Sequence, residues 1–183
     1  MDWILPGSTL HGQRENVDQI RDVFDALFLA GGLTLSQTAQ ITGLEPYTIQ
    51  NWVKRGFLPS PLQKRYDMER LCRLLNMNLL RGTMPLEQIV MLMKYLNGDL
   101  ADEGDDLVDD TLLYFYFVRL AARARYIGGT ESWDDALEQI TQDYLEPQPG
   151  AREKLIKVLK IMLTVWVANR LKTEAETMLS QLV

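Results

Sequence analysis

Apolar positions recur at helical spacing along almost the whole chain. Val17, Ile20, Phe24, Leu27 and Phe28 fall on one face of a first amphipathic helix, and Gly31-Gly32 stops it. Thr34 and Gln37 form a Thr-x-x-Gln capping box that predicts the next helix, ended by Gly43. Pro46 stands where a first helical residue is favoured, and the helix behind it runs to Arg55, with Gly56 following. The stretch "FLPSPLQKRY" has two prolines and no helical period, so it predicts a loop or a short extended hairpin. Strand alternation is suggested nowhere else than here, between Phe57 and Tyr66. Leu71, Leu74, Leu75, Asn78 and Leu79 mark a further helix closed by Gly82. Leu86, Ile89, Val90, Met93 and Leu96 mark the next, between Pro85 and Gly98.

The polar run "DLADEGDD" breaks this pattern and reads as a solvated linker. Three helices are expected after it: Leu112 to Tyr126, opening on an unbroken apolar run; Trp133 to Leu145; and Arg152 to Leu182, apolar on much of its circumference. The pattern therefore predicts an all-α protein with residues 1–98 as one unit, 99–110 as an acidic linker and 111–183 as a C-terminal helical bundle. The first and last of these three helices carry more apolar surface than one stripe holds. Either the N-terminal unit or a second copy of the chain must cover it, and the acidic linker favours the second copy.

Charge adds a contrast between segments. The 183 residues carry a formal net charge of −6, which argues against a general nucleic-acid binder. Yet Leu44 to Arg81 holds seven Lys and Arg against three Asp and Glu, a local balance of +4. The single cysteine, Cys72, allows no internal disulfide and reads as a small buried hydrophobe in a reducing, cytoplasmic setting. The N-terminal "MDWILPGSTLHGQ" lacks the features of a signal peptide. The apolar run "IMLTVWVA" is far shorter than the ~20 residues of a membrane-spanning helix, so no membrane association is expected. His11 is the only histidine. With one histidine and one cysteine, neither a metal centre nor a proton relay can be assembled from those residue types. No phosphate loop or nucleophile motif is present, so neither cofactor nor catalysis is expected.

The stretch "LSQTAQITGLEPYTIQNWVKRGFL" has the parts of a helix-turn-helix. Ala39 is a small residue inside the first helix, Gly43 tolerates the turn, and Ile49, Trp52 and Val53 form the inward face of the second helix. Tyr47, Gln50, Asn51 and Lys54 fall at i, i+3, i+4 and i+7 on the opposite face. Amide side chains can read base edges, while Tyr and Lys can hold phosphates. Arg55 follows at the helix end.

These residues resemble the helix-turn-helix of MerR-type bacterial regulators. The resemblance continues through "KRYDMERLCRLLNMNLLRGTMPLEQIVMLMKYL" and covers about Leu33 to Leu96. The helix arrangement is also similar to an uncharacterised bacterial family with a MerR-like N-terminal half. The MerR resemblance implies a wing at Lys64, Arg65 and Tyr66 beside the recognition helix. It implies double-stranded DNA as the partner, contacted by Tyr47, Gln50, Asn51, Lys54, Arg55, Lys64, Arg65 and Tyr66. The sequence departs from that family at Gln50-Asn51-Trp52, where an Arg followed by two aromatics is usual. It departs again at Glu45, an acidic residue at the helix start.

The expected function is a transcriptional regulator that binds DNA as a homodimer. Its C-terminal half would dimerise or receive a signal, such as a small-molecule effector bound beside the aromatic-rich helix. The alternative is an interaction or adaptor protein that keeps the fold and has lost DNA. Carboxylates folded over the helix face would favour that alternative.

Overall fold

The computed structural model describes residues 2–98, 106–124 and 133–182, and among these it is mostly helical. A two-stranded antiparallel hairpin, β1 (Asp2–Ile4) and β2 (His11–Gln13), leads into a short 3-10 segment, Arg14–Gln19. The helices follow as α1 (Ile20–Phe28), α2 (Leu35–Thr42), α3 (Pro46–Lys54), α4 (Met68–Leu80), α5 (Leu86–Asn97), α6 (Asp110–Arg123), α7 (Trp133–Ile140) and α8 (Ala151–Ser180). Among the described residues no helix is long and apolar enough to cross a membrane.

The hairpin corrects the expectation that strand structure belongs between Phe57 and Tyr66. That stretch holds only isolated bridges, Leu62 with Arg65 and Leu33 with Tyr66, while the regular pairing lies at the N-terminus. Three-residue strands offer too few alternating positions to stand out in sequence. The alternation is nonetheless real: Trp3 and Leu5 point inward, and Ile4 between them is exposed. Gly7, in the connection, has φ +70°, and a Cβ there would sit 2.3 Å from the Leu75 carbonyl oxygen. Only glycine lets this turn lie on α4.

α4 is the centre of the molecule. Asp67 caps it by accepting from the Arg70 amide, and nine of its residues from Leu71 to Leu80 are buried. A helix apolar on nearly every side needs neighbours on every side. α1, α2, α5, α6 and α8 supply them. α6 is α4's main partner, with Leu113 through Val118 all buried. Phe24 of α1 stacks edge-on with Phe115 of α6, at 5.3 Å between ring centres.

One hydrophobic core therefore runs from Trp3 to Val167. The surplus apolar surface of α6, and of α8 as far as Val167, is covered largely by α1, α4 and α5, the first of the two covers that the apolar pattern allowed. The acidic stretch misled because its last residue is not solvated. Asp110 is 4% exposed and paired with Arg73 of α4. Residues 99–105 of the expected linker, and the final residues of the helix expected to reach Tyr126, lie outside the described residues.

Candidate functional site

α2 and α3 are set against the core by local chemistry that the sequence announces. Thr34 and Gln37 make the reciprocal capping box, and Gly43 ends α2 at φ +66°. Thr38 and Thr42 are buried, and their hydroxyls donate to the Thr34 and Thr38 carbonyls one turn back. Pro46 starts α3, and Glu45 occupies the N-cap without a side-chain cap bond. α3 closes with a Schellman motif: the Phe57 amide donates to the Trp52 carbonyl, and the Gly56 amide donates to the Val53 carbonyl. Ile49 and Trp52 are buried beneath the helix. α3 is thus held at both ends and along its inner face.

The outer face presents Tyr47, Gln50, Asn51 and Lys54, all exposed, Tyr47 at 71%. Among the described residues none of these four side chains makes a hydrogen bond or an ion pair. Arg55 behaves differently. Its guanidinium lies 4.5 Å from the centre of the Phe57 ring and 3.3 Å from the carboxylate of Glu87, at the start of α5. Glu87 is 32 positions away, and no local pattern announces that contact.

The loop from Phe57 to Tyr66 ends in a tight hairpin. The Arg65 amide donates to the Leu62 carbonyl at 2.7 Å, and the two residues between, Gln63 and Lys64, have φ +48° and +63°. Two successive left-handed residues mark a type I′ turn, which favours Asn-Gly. A non-glycine residue in this conformation costs roughly 1–2 kcal/mol. The strained tip holds an exposed lysine away from the protein. Arg65 is also exposed and donates to the Gly32 carbonyl at 3.1 Å.

Tyr66 does not join this set. It is 3% exposed, its backbone pairs on both sides with Leu33, and burial pushes its phenol above the usual range. The expectation that it contacts DNA is corrected: inward alternation after Arg65 sends its ring into the core. The structure therefore leaves exposed two groups of residues on different elements: the α3 stripe, with one cation in Lys54, and the hairpin end, with Lys64 and Arg65. It removes Tyr66 and adds Gln63 and Glu87.

Cavities of different size lie beside α6: one of about 570 Å³, lined by Arg21, Phe28, Met68 and Thr111, meets its first turn. Phe115 and Tyr116 border another of about 100 Å³, with Arg119 and Asp143, paired at 3.3 Å, also in its wall. That is below the ~300 Å³ at which ligand pockets usually begin. Cys72 is fully buried in α4, and burial, with the nearby Asp110 carboxylate, holds its thiol well above the usual range.

Residues 16–117, from the 3-10 segment to the middle of α6, match the family model described as a domain of unknown function, DUF1836. That span is more than half of the chain. The chain belongs to the DUF1836 family. No curated protein and no solved structure matches it. The DUF1836 match contains α2, α3, the hairpin loop, α4 and α5 together, so every residue of the candidate site lies inside the family region.

Proposed function

We propose that this protein is a DNA-binding transcriptional regulator in which α3 is the recognition helix and the Phe57–Tyr66 loop is a MerR-like wing. The observation that carries the reading is the outer face of α3. Tyr47, Gln50, Asn51 and Lys54 are exposed and have no partner among the described residues, on a helix that Ile49 and Trp52 anchor firmly to the core. Amides on such a rigid face suit base-edge readout in the major groove, and Lys54 suits a phosphate. The strained turn supports the same reading. Backbone strain is kept where it positions a functional group, and here it lifts Lys64 to the tip of the wing. One such unit makes few phosphate contacts, so binding as a homodimer to paired half-sites goes with this proposal.

Selection of genomic fragments by the purified protein, followed by gel-shift titration at several salt concentrations, tests it. The expected result is enrichment of a sequence with two-fold symmetry and an affinity that falls steeply with salt. Absence of binding at 50 mM salt overturns it.

A second reading has its own observation. Glu87 occupies Arg55, and Glu45 stands at the start of α3, so carboxylates border the stripe. They favour an adaptor that binds protein through the same face. Retention of a protein partner on α3, abolished by changing Tyr47, together with no DNA binding, is the result that supports it.

A further inference from the structure

Lys54 and Arg55 are neighbours at the end of α3, and their surroundings differ. Lys54 has no partner among the described residues, whereas Arg55 is held from two sides. Phe57 supplies one side. The closure of α3 turns the chain back through Gly56, at φ +71°, and the Phe57 ring meets the guanidinium. Glu87 supplies the other, with one carboxylate oxygen 3.3 Å from a terminal guanidinium nitrogen. It stands in the first turn of α5, where the helix dipole favours a negative side chain. Ile89, Leu92, Met93 and Leu96 bury the inner face of α5, so this carboxylate sits on a fixed element.

A DNA phosphate and the Glu87 carboxylate compete for the same donors, because a guanidinium recognises either anion through one fork of N–H groups. We infer that Glu87 is a built-in competitor for phosphate, which withholds Arg55 from the DNA backbone and limits the sequence-independent part of binding. This role rests on the regulator reading. The pair itself is exposed, at 43% for the Arg55 side chain and 72% for that of Glu87, so it adds little to stability and can be changed without loss of the fold. Its consequence lies in binding. Each cation that meets a phosphate steepens the fall of log affinity with log salt by about 0.9, on any sequence. Holding Arg55 back removes one such contact. The amides of Gln50 and Asn51, which suit base edges, then carry a larger share of the affinity.

Fluorescence anisotropy of the full chain with a random-sequence DNA duplex, over several salt concentrations, tests it. Glu87→Gln is expected to bind several-fold more tightly than wild type at low salt, with a salt slope steeper by about one unit. With Arg55→Gln also present the gain is expected to vanish, because no cation is left to release. Equal affinity for wild type and Glu87→Gln overturns the inference and leaves the regulator reading standing. A gain that persists with Arg55→Gln also overturns it, since Glu87 then acts as a plain repulsive charge. So does a tighter complex with an unchanged slope, since DNA then already draws Arg55 away from Glu87. Failure of the regulator reading shows separately, as absence of binding by wild type and variants alike, and this role falls with it. Binding by Glu87→Gln where wild type has none supports the inference.

Discussion

Arg73 and Asp110 meet at 2.9 Å in the interior, each 5% exposed or less, though 37 positions separate them. The pair joins α4 to the first turn of α6. Arg73 also donates to the Phe57 carbonyl at the base of the hairpin loop, and Asn76 donates to the Asp110 carbonyl. Removing one member leaves a buried charge without its counterpart. Arg73→Ala is therefore expected to cost about 3–5 kcal/mol in urea unfolding. The apolar double variant Arg73→Met, Asp110→Leu is expected to cost less than the two single changes added together. A loss for Arg73→Ala within 0.5 kcal/mol of zero, the range of about ±0.5 typical of surface changes, would show that the pair is solvated.

Trp52 is 4% exposed beneath α3. Trp52→Ala is expected to destabilise the protein by about 3–5 kcal/mol, as a large core aromatic does when truncated. A thermal melt within a degree of wild type would mean that α3 is phased differently, and the outward stripe would move with it.

On the DNA-binding reading, Lys54→Ala weakens binding about equally on all sequences and flattens the salt slope by about one unit, as loss of one phosphate contact does. Asn51→Ala relaxes sequence preference instead. Tyr66→Phe leaves binding unchanged, because that ring lies in the core. Gel-shift titrations at three salt concentrations compare the three variants directly.

The hairpin tip sets stability against binding. Gln63→Asn with Lys64→Gly gives the turn the residues its backbone prefers and is expected to raise stability by about 1 kcal/mol. The same change removes the raised cation and is expected to weaken DNA binding. Chemical denaturation and gel shift on one sample measure both, and unchanged stability would contradict the left-handed turn.

Burial and the neighbouring carboxylate hold the Cys72 thiol above its ordinary range. The thiolate is the reactive form, so raising the pH from 7 to 9 is expected to leave alkylation of the folded protein negligible. In urea, where the pKa returns to the usual value, alkylation is complete and accelerates with pH. Reaction in the folded state at pH 8 would place the thiol at the surface.

The helices were legible because their signals are local. The Thr34–Gln37 box, Gly43, Pro46 and Gly56 each act within a few residues, and the i, i+3, i+4, i+7 spacing placed Tyr47, Gln50, Asn51 and Lys54 on one face before any neighbour was known. Tertiary packing decided the rest. The acidic run before α6 reads as solvent-exposed from its composition, yet Asp110 is buried because Arg73 stands opposite it, on a helix that composition cannot bring near. Glu87 meets Arg55, and Tyr66 turns inward against Leu33, for the same reason. The apolar excess of α6 and α8 was visible in the chain, but what covered it was not. Helical periodicity measures how much surface must be buried, and only the arrangement of the other helices determines against what. Here α4, α5, α6 and α7 together took α8 as far as Val167, and Arg170 to Leu182 stayed exposed.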